Sequence, residues 1–251
     1  MQVTSKRLGK PFLPCPNTNV YRLIPWKSIQ RLLAINQRSA ILERASVYPV
    51  ATLSDATLDP SAVDELSRVF RIVGVDITVS ACEKALLEAQ VSPNEITHTV
   101  GVTCTDAGNP GYDHFVSQRL KLRPDVDRVL LHGVGCAGGL SALRVAAGLA
   151  AGATQRKRAA RILIFACELC SLHLRCDLAH ISRNDGEASI AHALFGDAAA
   201  AMVLCNDLGR TTQVRSIYEL LDWTNMVLPG TSEHMSFLMD PLGQCSSFVD
   251  Q

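Results

Sequence analysis

The stretch RVLLHGVGCAGGLSALRVAAGLAAG, residues 128–152, joins an apolar run to an alanine- and glycine-rich segment through a turn that carries one cysteine. Together with Asp127, the first part (127–134) has the length and apolar content of a buried strand. From about residue 137 to 152 the small and apolar residues recur at helical spacing. Gly133, Gly135, Gly138 and Gly139 bracket Cys136, leaving room for a sharp strand-to-helix turn and for close approach of a substrate. A strand ending there delivers the thiol to the carboxyl edge of a sheet, and a helix starting there aims unbonded N–H groups at the sulfur. The partial positive charge of a first helical turn favours thiolate, which would make Cys136 a nucleophile. A small buried cysteine among packing glycines explains the same residues, so the stretch alone leaves both readings open.

Outward from it, strand and helix patterns alternate. THTVGVTC (97–104), RILIFACEL (161–169) and AAAAMVLCN (198–206) read as strands. Helical spacing is found at 28–41, 59–73, 77–90 and 111–122, with Asp59, Pro60 and Ser61 forming a helix entry for the second. The resulting class is α/β, a sheet covered by helices on both faces. SRNDGEAS (182–189) has the composition of a surface loop, and the tail QCSSFVDQ (244–251) is expected to form neither helix nor strand.

The 251 residues, 47% of them hydrophobic, suffice for a sizeable core. Twenty-four basic residues balance twenty-four acidic ones. The one dense basic run, Arg156, Lys157, Arg158 and Arg161, reads as a solvated loop, so no nucleic-acid partner is expected. Nine cysteines at irregular spacing point to a reducing, cytoplasmic setting rather than a disulfide framework. Cys167 and Cys170 form a CxxC without a second pair of ligands, and no metal is expected. Residues 1–27 contain prolines and no continuous apolar core, which fits neither a signal peptide nor an anchor. The apolar segment around 137–153 carries Arg144 and reads as a core helix, not a membrane span.

Four motifs occur in order: CTDAGNPGYD (104–113), GVGCAGGLSALRVA (133–146), CELCSLH (167–173) and ALFGDAAAAMVL (193–204). Together they resemble type III polyketide synthases, the chalcone-synthase-like members of the thiolase superfamily, and most of all the fungal branch. The resemblance runs from about residue 30 to 240. It implies a thiolase-like layered αβαβα fold, with an atypical segment at 1–27, an N-terminal domain at 28–212 and the start of a C-terminal domain at 213–251. It also implies that Cys136 accepts a starter acyl group from coenzyme A as a thioester. Phe195 would be the aromatic gatekeeper beside it, and Cys170, Leu172 and His173 would line the cavity that limits chain length. Arg31 and Arg38 would face coenzyme A phosphates. Read without the resemblance, Phe195 is plain core, Gly196 and Asp197 are a tight turn, His173 is a packed polar side chain, and the two arginines are solvated.

In such an enzyme the acylated cysteine is extended with malonyl-CoA to a pyrone, resorcinol or related product, with no bound metal or redox cofactor. A homodimer is the family's default. The family also uses a histidine and an asparagine from its C-terminal half to polarise the reacting groups. No HPGG-like or GNxSS-like segment is present in residues 1–251. The expectation is therefore a shortened synthase that loads acyl groups poorly, elongates slowly or not at all, and aggregates or depends on a partner. Two alternatives stand beside it: a non-catalytic thiolase-fold remnant that binds coenzyme A thioesters or a complete synthase, and a cysteine hydrolase with His173 or His192 as base.

Overall fold

The computed structural model describes residues 25–41, 43–47, 61–174, 176, 190–211, 214–231, 234–240 and 243–248. The expected helix entry at Asp59 and Pro60 and the expected loop at 182–189 lie outside them. The chain divides into two compact units. One comprises Met1–Leu66, Leu169–Asp197 and Val227–Gln251, the other Ser67–Glu168 and Ala198–Met226.

The second unit is built on a four-stranded sheet. β1 (His98–Val102), β2 (Asp127–Leu131), β3 (Arg161–Glu168) and β4 (Ala198–Cys205) lie in the order β2-β1-β3-β4, the first three parallel and β4 antiparallel to β3. The central strand β3 is an apolar run from Ile162 to Cys167 because both of its faces are covered. Val100, Val102, Ile162 and Ile164 point to one side, where α5 (Gly138–Gln155) meets them through Ala142, Ala146, Ala150 and Ala153. Alanines there let the helix lie close to the sheet. β4 alternates exposed and half-buried positions, and Met202 is 49% exposed, the pattern of a strand with one open face.

The opposite face packs against aromatic rings. α4 (Tyr112–Arg119) brings Tyr112, fully buried, edge-on to Phe165 of β3 at 5.6 Å between ring centroids and to Phe70 at 5.5 Å. Gly101 makes room for this cluster, since a Cβ there would sit 2.9 Å from the Phe165 ring. At the amino-terminal end of β3, the side chain of Asn206 uses all four of its hydrogen-bonding positions. Its Oδ1 accepts from Ala160 and Gly209 N–H, and its Nδ2 donates to Thr154 Oγ1 and the Arg158 carbonyl.

One helical region departs from the sequence expectation. The helices read at 59–73 and 77–90 are a continuous run: α2 (Val63–Val69), a π-helical turn (Phe70–Gly74) and α3 (Val75–Ala89). The Val75 N–H reaches back to the Phe70 carbonyl, the five-residue closure of a π turn. The buried positions do not announce it: Phe70, Gly74, Thr78, Cys82 and Leu86 follow one another at steps of four, a spacing that a regular helix also places on one face.

In the other unit, α1 (Trp26–Ser39) packs beside α6 (Ile190–Leu194). The tail corrects the sequence reading. β5 (Met235–Asp240) and β6 (Gly243–Phe248) form an antiparallel pair, so most of the segment expected to be irregular is a strand. Its own pattern is weak, and the neighbouring strand supplies what the pattern lacks. The stretch Gly135–Gln155 is long and apolar enough to cross a membrane by length and composition alone. In the fold, its Ala142, Ala146, Ala150 and Ala153 lie on the sheet.

Candidate functional site

The parallel strands finish at one edge of the sheet, at Leu131, Val102 and Glu168. From the end of β2 the chain turns sharply into α5. Gly133 and Gly135 take left-handed conformations, with φ of 71° and 52°, and a Cβ at either would meet nothing within 4 Å. These two glycines therefore answer a backbone requirement. Gly138 answers a packing one, since a Cβ there would lie 2.7 Å from Val102 Cγ2. Gly139 faces open space, so the glycines that the sequence grouped together do not all do the same work.

Cys136 lies in the single 3-10 turn Gly135–Ala137 that leads directly into the 18-residue α5. No side chain caps that helix, so its first N–H groups have no side-chain acceptor. The thiol is exposed, which removes the reading of Cys136 as a buried packing residue.

At the end of β3 the same sheet edge carries a carboxylate that sequence reasoning passed over. Glu168 accepts from the Cys104 N–H at 2.9 Å, from Thr105 Oγ1 at 2.8 Å, and from Thr103 Oγ1 and Cys104 Sγ at 3.3 Å. The signal was available: a charged residue closing an apolar strand at a carboxyl edge is where ligands bind in α/β folds. Cys167, one residue earlier, is buried and directs its thiol to the Gly74 carbonyl at 3.6 Å. The CxxC is thus split between a strand and a turn. Among the described residues, no three His, Cys, Asp or Glu side chains are grouped as a metal site.

The remaining candidates belong to the other unit. Cys170, Leu172 and His173 share the 3-10 helix Cys170–His173, with Leu172 and His173 buried and Cys170 half-buried. Phe195 directly follows α6, and its N–H donates to the Ala191 carbonyl. It is 40% exposed, which is not the environment of plain core. His192 falls within α6. Arg31 and Arg38 lie two turns apart along α1, half-buried and exposed respectively.

Asp197 is the second residue whose part the sequence did not reveal. Read as a turn residue, it is instead a buried carboxylate that accepts from Ser171 N–H and Oγ and from Val47 N–H. This joins the Cys170–His173 turn to the segment carrying Phe195. Burial raises its pKa above the ordinary 3.8, against the opposing pull of Ser171 and Val47. For an acid, a raised folded-state pKa contributes stability that is full below the ordinary value and lost as pH rises through the raised one. Unfolding free energies measured across that acid range should therefore show wild type losing stability relative to Asp197→Asn as pH increases, and parallel curves would refute this.

Comparison with known proteins matches this arrangement to one family. The family described as chalcone and stilbene synthases, N-terminal domain, matches residues 46–208. The type III polyketide synthase pspB of Penicillium soppii is 46% identical over 215 residues, covering 84% of this chain and 54% of that protein. The crystal structure of a fungal type III polyketide synthase, ORAS, superposes with a TM-score of 0.83 at 40% identity, over 92% of this chain and 61% of that one. CsyB complexed with CoA-SH superposes with a TM-score of 0.85 at 33% identity, over 91% and 61% of the two chains. The chain spans about half the length of the curated relatives it matches. With residues 46–208 carrying its N-terminal domain, the chain belongs to the chalcone and stilbene synthase family and has the thiolase-like α/β fold of the type III polyketide synthases.

Proposed function

We propose that this chain performs the acyl-accepting chemistry of a type III polyketide synthase. The observation that carries the reading is an exposed cysteine, Cys136, at the junction of a parallel strand and the uncapped start of α5. In the reaction, Sγ as thiolate attacks the carbonyl carbon of an acyl-CoA. The bond from that carbon to the coenzyme A sulfur breaks, and coenzyme A leaves with the electron pair and takes up a proton. Phe195 shapes the mouth of the acyl site, Cys170, Leu172 and His173 wall it, and Arg31 and Arg38 meet the coenzyme A phosphates. A structure of CsyB with CoA-SH among the solved relatives supports coenzyme A thioesters as the ligands.

Malonyl-CoA is the extender in this reading, and pyrones or resorcinols are the products. The chemistry needs no bound metal or redox cofactor, because the thioester is already activated and decarboxylation supplies the carbanion. Homodimerisation and a cytoplasmic setting complete the proposal. No segment of residues 1–251 matches the family's histidine or asparagine motif, so loading without sustained elongation is the expected behaviour of this chain by itself.

The test is incubation with a long-chain acyl-CoA, followed by intact-protein mass spectrometry and peptide mapping, with radiolabelled malonyl-CoA added in a second arm. A thioester adduct on the peptide containing Cys136, blocked by prior iodoacetamide, is the expected result. No adduct with any acyl-CoA would overturn the proposal, and efficient labelled polyketide formation would overturn the expectation of poor elongation.

A further inference from the structure

Asp197 is 7% exposed, and its carboxylate receives donors from two stretches far away in sequence. The Val47 N–H reaches Oδ2 at 2.6 Å, the Ser171 N–H reaches Oδ1 at 2.8 Å, and Ser171 Oγ reaches Oδ2 at 2.5 Å. Its own N–H donates to the Ala45 carbonyl at 2.9 Å. Gly196, between Asp197 and Phe195, is pressed against the same segment: a Cβ there would lie 3.1 Å from the Ala45 oxygen and 3.2 Å from Arg44 Cβ. Arg44 in turn donates through Nη2 to Asn36 Oδ1 of α1 at 2.6 Å. One carboxylate thus fastens the 44–47 segment, the Cys170–His173 turn and the backbone two residues beyond Phe195.

A tight turn has no need of this. A short polar side chain closes a turn by bonding its own neighbours, whereas burying a carboxylate is costly and is retained where donors from elsewhere converge on it. The donors at Asp197 come from the turn that bears Cys170, Leu172 and His173 and from the strip beneath Gly196. We infer that Asp197 is a positioning residue whose carboxylate sets the spacing between the Phe195 backbone and the Cys170–His173 turn, and through that spacing selects the length of the acyl chain taken from coenzyme A. The selection rests on the acyl-transfer reading proposed above; the positioning does not.

Two variants of the full chain test it, Ser171→Ala, which removes one hydroxyl donor, and Asp197→Asn, which turns one acceptor towards the Val47 and Ser171 donors into an amide N–H. Circular dichroism establishes that each is folded. The first readout is fluorine NMR of protein grown with fluorophenylalanine, with the Phe195 resonance identified by its loss in Phe195→Leu. Both variants should move or broaden that resonance while leaving the other phenylalanine signals in place, a selectivity that a merely structural role would not produce. The second readout is competition between hexanoyl- and stearoyl-CoA for loading, where the wild-type preference should change by about tenfold in the variants.

An unmoved Phe195 resonance in the folded variants overturns the positioning role, whether or not loading is seen. A moved resonance with an unchanged loading preference overturns the selection of chain length. Failure of wild type to load either substrate refutes the acyl-transfer reading, and with it the selection, while the resonance still decides the positioning. Should Asp197→Asn fail to fold, Ser171→Ala carries both measurements.

Discussion

Cys136→Ala is expected to abolish covalent acyl loading while leaving the fold as it is. The thiol is exposed in a single 3-10 turn, so removing Sγ opens no cavity, and the change in stability should stay within about 0.5 kcal/mol. The proposed chemistry has no such tolerance, because in it the acyl-enzyme bond is made to the atom that is removed. Loss of a nucleophile costs such reactions about 10⁴-fold or more, which here reads as the disappearance of the adduct from the mass spectrum. Thermal unfolding of the same sample supplies the control. An adduct that persists in Cys136→Ala would place the nucleophile elsewhere and end the proposed mechanism.

The second large effect concerns the aromatic cluster under the sheet. Tyr112→Ala should cost about 3–5 kcal/mol, the range for deleting a buried aromatic side chain. The ring stands nearly perpendicular to Phe70 and Phe165, at interplanar angles of 87° and 85°, and its hydroxyl donates to the Val102 carbonyl at 2.8 Å. Burial pushes that hydroxyl well above the usual phenol range, so it remains a neutral donor wherever the protein is folded. Tyr112→Phe separates the two contributions. It keeps the ring and should cost only about 1–2 kcal/mol for the unmade hydrogen bond. Urea unfolding of both variants checks the pair, and equal losses would show that the hydroxyl, and not the ring packing, holds α4 to the sheet.

How much of this was legible in the sequence depends on how local the cause was. β3 was plain because a strand covered on both faces is apolar almost throughout, and no neighbour has to be known to see it; β1, which begins with His98 and Thr99, was marked instead by its β-branched residues. The turn at Cys136 was legible for the same reason, since glycine answers to its own φ. Which glycines met a backbone demand and which met a packing one was not, because the Val102 side chain that confines Gly138 lies more than thirty residues away. Asp197 looked like a turn residue for that reason too: Val47 and Ser171, which give it its place, are remote in the chain. Glu168 is made a hub by residues of the loop after β1. The strand Gly243–Phe248 owes its conformation to a partner strand. The π turn escaped because Phe70, Gly74, Thr78 and Cys82 keep a four-residue step through it, as a regular helix would.

That turn is the place where the helix can change its count without changing its aim. A π turn holds one residue more than the α turn it replaces, so deleting one residue from Phe70–Gly74 would restore ordinary winding there and leave the helix on either side facing nearly as before. The same deletion within the regular α3 would rotate one part of the helix against the other by about 100°, and tolerance to a change of length is therefore confined to these five residues.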